Sequence, residues 1–284
     1  ALPAAVARPS YLSPYLRFGL LSPLQAATLG VRRRDLLWRD WSHLCWQLVA
    51  SLREGEPSVP PLDGACHVAR REAHLSEREA GKAFAAWCVG QTGAPLIDAA
   101  MRQLWACGWM PRRMRLLCAC ALTEGMGLDW RWGRDWFAHT LIDHDPAINE
   151  AMWQNAGLVG VDPFYYSLRW EERCECRQDD DDDGDEGLDC YLQRWLGEGS
   201  ANGEVVPALR WPSELRSASQ LPPPDAHAVA AAAQARRELL RGAYRAAGLV
   251  SRAGLHVDHR TKGTAIGVGR MDMQEFSARH GAKR

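Results

Sequence analysis

Between Gly93 and Trp153 the chain interleaves indoles and guanidiniums where a helical protein normally places aliphatic core. The stretch closes on two acids, Asp143 and Asp145, flanking His144. Such a run limits the folds available, because a guanidinium taken out of water needs a carboxylate partner. Breaking such a pair costs about 3–5 kcal/mol. The segment reads as a set of helices around a site able to hold a planar, anionic cofactor and exchange electrons with it.

Helical periodicity supports this. Leu36 to Leu52 predicts a helix whose buried face carries Leu37, Trp41, Leu44, Leu48 and Leu52. Ser58 to Gly64 is proline-rich and predicts a loop. Ser76 and Glu79 have the spacing of a capping box at the head of a helix reaching Val89. Pro95 opens a helix bearing Leu96, Ile97, Ala100, Met101 and Leu104, and Gly108 ends it. Pro111 starts the next, which passes Arg115 and Leu122 until Gly125 and Gly127 break it. No segment here alternates with period two, so the region is predicted all-α.

At 284 residues with net charge -1, the chain can bury a large core and has no global basic field. Its most apolar stretches, such as Leu116 to Leu122, fall far short of a membrane span, so it reads as a soluble, intracellular protein. The nine cysteines include the pairs Cys118/Cys120 and Cys174/Cys176, whose spacing suits neither zinc nor a disulfide framework. Buried thiols in a reducing compartment are expected, and no metal site. Asp179 to Asp183 is an acidic run within a predicted loop at about 174–190. Pro222 to Pro224 predicts a stiff linker, followed by an Ala/Arg-rich helix from about Ala226 to Ala247 and a polar, loosely ordered end from Leu249.

Three strings carry a resemblance: Gly93-Ala-Pro95-Leu-Ile-Asp98-Ala-Ala-Met101-Arg102-Gln-Leu104, Asp129-Trp130-Arg131-Trp132-Gly133, and Asp143-His144-Asp145-Pro146-Ala147-Ile148-Asn149. Together they closely resemble the flavin-binding core of the DNA photolyase and cryptochrome family. The resemblance implies an all-α FAD-binding helical domain over residues 9–212, with 213–284 as a C-terminal tail. No strand–helix alternation precedes Pro9, so the family's N-terminal α/β antenna domain is expected to be missing from this chain. FAD is the implied cofactor. Ser10, Tyr11, Leu12 and Ser13 match the loop that holds its pyrophosphate, which suits hydroxyls and amides near a helix N-terminus. Arg115 matches the arginine paired with the first acid, Asp143. His144 lies between the acids, Asp145 matches the acceptor from the flavin imide, and Asn149 matches the position facing flavin N5, where the residue type is photolyase-like. Trp153 and Trp130 match the proximal and middle members of an electron-transferring tryptophan chain. Glu77 stands at the position aligned with its outermost member.

The substrate side departs from the pattern. Asp35, Trp38 and Arg39 resemble the Glu, Trp and Arg that line the lesion cavity, with the acid one methylene shorter. Arg113 is kept, but Pro111 and Arg112 stand for the family's His and Asn, Asn155 for the Trp that stacks on a dimer, and Leu116 for a Met. An Asn-to-Arg change leaves donors only, and loss of a stacking indole removes about 1–3 kcal/mol of base contact. The resemblance therefore implies blue-light-driven electron transfer with a degenerate lesion cavity. DNA is the implied partner, and the tail after Pro212 offers a surface to a protein partner. The alternatives are a cryptochrome-like photoreceptor and a non-catalytic structural module within a larger assembly.

Overall fold

Ser22, Ser76, Asp129 and Asp145 each cap a helix start, their side chains accepting from a backbone N–H of the first turn. In the computed structural model, which describes residues 11–58, 76–157, 159, 164–166, 186–197, 210–223, 256–257 and 265–267, short α1 (Ser13–Arg17) and α2 (Pro23–Thr28) lead into α3 (Arg33–Leu48) and α4 (Ala50–Glu54). Then come α5 (Glu77–Val89), α6 (Pro95–Cys107), α7 (Arg112–Cys120), α8 (Trp130–Thr140), α9 (Pro146–Ala156) and α10 (Glu186–Leu196). The capping box at Ser76 forms as its spacing predicts: the Ser76 hydroxyl accepts from Glu79 N–H, and the Glu79 carboxylate accepts from Ser76 N–H. Gly108, at φ +64°, ends α6. α7 runs into a π-helical turn, Ala121–Gly125, before the predicted break.

The helical expectation holds for every element around the core. Trp87, Trp130, Trp153, Ile97, Met101, Leu104, Leu117 and Leu122 are fully buried within it. Each aliphatic side chain so placed contributes about 1.5–3 kcal/mol. Beyond the helices, Phe164–Tyr166 (β1), His256–Val257 (β2) and Ala265–Gly267 (β3) form a small antiparallel sheet in the order β1-β3-β2, with Tyr165 opposite Ile266. Asp98 fastens the turn before α6. Its carboxylate accepts from Thr92 N–H at 2.7 Å, the Thr92 hydroxyl at 2.6 Å and Gly93 N–H at 3.2 Å.

Residues 210–223 form a strap across α5 and α6. Trp211 stacks on Trp105 at 5.1 Å, Trp105 stacks on Trp136 at 5.6 Å, and the Trp105 indole N–H donates to the Arg210 carbonyl. Further along, Leu221 N–H donates to the Gln91 carbonyl at 2.9 Å.

The helix predicted over Leu36 to Leu52 differs in two respects. Extended Val49 (φ −107°, ψ 106°) divides it into α3 and α4. The face expected to be buried also turns outward: Leu37, Leu44 and Leu48 are exposed, while Leu36, Ser42 and Cys45 pack inward. Both faces of α3 carry apolar residues, so its orientation follows from docking on α9 rather than from periodicity. Leu52 is buried as predicted, because the break at Val49 turns α4 back toward the core. Ser10, residues 59–64 of the proline-rich loop, the acidic run at Asp179 to Asp183 and the Ala/Arg-rich helix at Ala226 to Ala247 lie outside the described residues.

Candidate functional site

α9 begins at the site, and Asp145 caps it. One carboxylate oxygen accepts from Ala147 and Ile148 N–H at 3.0 and 3.2 Å, and Pro146 occupies the first helical position, where no donor is needed. The other oxygen lies 3.0 Å from His43 Nε2 on α3. Two residues earlier, Asp143 is 1% exposed at its side chain and accepts from Arg115 Nη2 at 2.7 Å. Arg115 is also held by the Met110 carbonyl, which accepts from its Nε at 3.0 Å. The second Asp143 oxygen, Oδ1, is buried and has no partner. Asn149, one turn beyond Asp145, is buried and donates from Nδ2 to the Arg134 carbonyl at 3.1 Å.

Beside this pair, Trp109 gathers the start of the described chain. Its indole N–H donates to the Ser13 hydroxyl at 3.0 Å, and its ring lies 4.5 Å from that of Tyr11. The Arg115 guanidinium is 6.0 Å from the same ring. Tyr11 adopts φ +54°, a left-handed conformation uncommon for a bulky residue. Arg17 Nε donates to the His144 carbonyl. Burial and then the Arg17 charge hold the His144 imidazole below its usual pKa, against the opposing pull of Asp145 and Asp143.

At the mouth, Arg112 on α7 donates to Asp35 on α3 at 2.7 Å. Arg39 pairs with Asp40 at 3.3 Å, the Trp38 carbonyl accepts from the Ser42 hydroxyl, and Trp38 and Arg113 are half-buried.

Beneath the site lie the indoles. Trp153 packs so closely on α8 that a Cβ at Gly133 would overlap its ring. Its ring contacts run to Phe137 at 5.0 Å and to Trp87 at 6.2 Å. Phe84 then links Trp87 to Trp132, which is half-buried. Trp130 is placed differently: the guanidiniums of Arg131 and Arg134 lie 4.8 and 5.3 Å from its ring. Arg134 is balanced by Glu150 at 3.4 Å and Asp135 at 2.7 Å. Burial raises the Glu150 pKa, opposed by a hydrogen bond from Gln154 and the charge of Arg134.

Residues 32–222, more than half of the chain, match the sequence profile of the FAD binding domain of DNA photolyase. The chain belongs to this family. A deoxyribodipyrimidine photo-lyase of Agrobacterium fabrum is 37% identical over 55% of the chain and 33% of that protein. Cryptochrome DASH of Danio rerio is 32% identical over 68% of the chain and 37% of that protein. Among solved structures, a class III photolyase from Agrobacterium tumefaciens aligns with a TM-score of 0.54 at 26% identity, covering 84% of this chain and 51% of that one. The chain thus spans between a third and about half of the length of these proteins. It is a photolyase/cryptochrome-like flavoprotein domain.

FAD is the cofactor of this photolyase-family domain, and the residues present suit it. The buried, unpartnered Asp143 oxygen beside Arg115 offers a hydrogen-bond acceptor paired with a fixed positive charge. Ser13 accepts from Trp109 and keeps its own proton to donate. Arg115, Asp143, His144, Asp145 and Asn149 converge at the head of α9, with Tyr11, Leu12 and Ser13 at the head of α1. Asp35, Trp38, Arg39, Arg112 and Arg113 belong to α3 and α7. Sequence reasoning did not identify His43, Trp109 or Trp87. Trp109 opens the string Trp109 to Arg115 that resembles the family's, without a site role assigned to it, but nothing local in the sequence brings His43 to Asp145. That contact is made by α3 packing on α9. Among the described residues no helix is long and apolar enough to cross a membrane, and no cluster of metal-ligating side chains occurs.

Proposed function

We propose that this domain carries out blue-light-driven electron transfer, with a cavity beside the flavin that favours DNA contact over dimer repair. FAD, when bound, supplies the light absorption and the one-electron chemistry. The observation that carries the reading is the Arg115–Asp143 pair, fully buried on its acid side with one oxygen left free. Keeping that carboxylate out of water is costly unless a further donor reaches it. Arg115 sets the local charge, Asp145 presents an acceptor at the head of α9, and Asn149 lies one turn further along the same helix. Trp153 is the electron donor, and its neighbours pass the hole outward.

The altered mouth supports weak repair. Arg112 and Asp35 satisfy one another where the family pattern has groups free to meet a flipped base, and Asn155 replaces the stacking indole. Arg113 and the arginines Arg39 and Arg112, which are paired with Asp40 and Asp35, can be drawn to phosphate, so DNA is the proposed partner, with salt-dependent affinity. The same closure favours a second reading, a cryptochrome-like photoreceptor that signals to a protein through the tail.

The test is direct. The purified protein should show a flavin band near about 450 nm, and Asp145→Ala should lower flavin retention. The reduced protein, illuminated with a dimer-containing oligonucleotide, should restore few thymines, and Arg112→Asn with Asn155→Trp should raise the yield. Wild-type turnover like that of an ordinary photolyase would replace this reading with repair. A chain that takes up no flavin would leave only a structural role.

A further inference from the structure

We infer that His43 is a positioning residue for the flavin end of the site, acting through Asp145. This rests on the flavin-binding reading above. Asp145 has two tasks that compete for its lone pairs. Oδ1 is committed to the helix, accepting from Ala147 and Ile148 N–H. Oδ2 is the oxygen left to meet a ligand, and His43 Nε2 lies 3.0 Å from it. The Asp145 side chain is 11% exposed and that of His43 38%, so the contact lies at the edge of the site, where solvent competes only weakly for the carboxylate. Held only at Oδ1, at 3.0 and 3.2 Å, the carboxylate can still rock as a unit about the Cβ–Cγ bond. A donor on the facing helix removes that freedom. His43 sits two turns beyond Asp35 on α3 and so ties the helix at the mouth to the head of α9. The remaining Oδ2 lone pair is then held in one direction.

This arrangement has a chemical requirement. For Nε2 to face a carboxylate it must carry a proton, either as the Nε2–H tautomer or as the imidazolium. His43 is therefore expected to be fixed in its ring state before any cofactor binds. Nearby charged groups include Arg39 and Asp40 one turn back on α3, Asp143 and Arg115 beside Asp145, and His144 with Arg17 beyond it. Among these, Asp145 is the group in hydrogen-bond contact with the imidazole. Glutamine in place of His43 would keep a donor at similar reach. Leucine would keep bulk and lose the donor.

The experiment has two arms. In the first, the flavin-free full chain is labelled with ¹⁵N-histidine, and the His43 ring nitrogens are compared between wild type and Asp145→Asn. Nε2 is expected to be protonated in wild type and to lose that preference in the variant. An Nδ1–H ring in wild type overturns the inference, whatever the chain does with flavin. In the second arm, FAD dissociation constants are measured for wild type, His43→Leu and His43→Gln. His43→Leu should weaken FAD binding about tenfold, the scale of one lost hydrogen bond to a charged group, and His43→Gln should recover most of it. Unchanged affinity in His43→Leu, or equal loss in both variants, overturns the positioning role. If wild type binds no FAD, the flavin reading itself fails, while the ¹⁵N arm still decides the contact.

Discussion

Arg112 and Asp35 meet at 2.7 Å across the mouth of the site, joining α7 to α3 through two side chains that are 49% and 38% exposed. Each stands where the family pattern has a different residue, so the two departures form a single contact. At this exposure the pair stabilises the fold by less than about 1 kcal/mol and weakens with salt. A double-mutant cycle on Asp35→Asn and Arg112→Gln, followed by urea unfolding at two salt concentrations, checks this. The larger effect is expected on ligands. Asp35→Asn frees Arg112, so affinity for a single-stranded oligonucleotide should rise and its log–log salt slope should steepen by about 0.7. An unchanged slope would mean that Arg112 does not reach phosphate.

The surroundings of the indoles give different expectations for Trp87 and Trp130. An electron hole adds positive charge to a ring, and Trp130 already faces two guanidiniums at 4.8 and 5.3 Å. Those cations attract the neutral ring but repel its oxidised form. Trp87 lies 6.2 Å from Trp153. Trp87→Phe should therefore slow flavin photoreduction more than Trp130→Phe, measured by flash absorption with an external reductant. The reverse order would restore Trp130 as the principal next carrier.

Gly133 sets how closely α8 approaches Trp153. Gly133→Ala must push the indole or the helix away and should cost about 1–3 kcal/mol in denaturant unfolding, the usual range for overpacking. A change in near-ultraviolet circular dichroism should accompany it, because Trp153 moves. A stability equal to wild type would mean that the helices part freely here.

His144 supplies a pH dependence. Its pKa is depressed in the folded chain, first by burial and then by Arg17, so the folded state favours the neutral ring. The unfolded chain takes up this proton first as pH falls. The His144 contribution to stability is therefore fully present above the unfolded value of 6.5 and is lost as pH drops below it toward the lower folded value. His144→Gln should lose less stability than wild type over that interval, followed by thermal melts at stepped pH. Parallel curves would show that the ring is as well solvated as in the unfolded chain.

Local chemistry made much of this domain legible. Ser76 with Glu79, Pro95 and Gly108 marked helix ends because capping and φ preferences act within a few residues. The convergence of Arg115 with Asp143 was legible through the family's strings. The inward face of α3 was not, because both of its sides carry apolar residues and docking on α9 selects Leu36, Ser42 and Cys45. His43 escaped for the same reason: its partner is 102 residues away, and only tertiary packing brings them together.

The strap bears on where the domain can be cut. Trp211 closes a stack whose other members belong to α6 and α8, and Leu221 is hydrogen-bonded beside Gln91 at the start of the turn that Asp98 secures. A version ending after α10 would uncover one face of Trp105 and leave the Gln91 carbonyl without its donor. The shortest autonomous unit should therefore extend to Pro222, and limited proteolysis should release no smaller stable piece that retains α6.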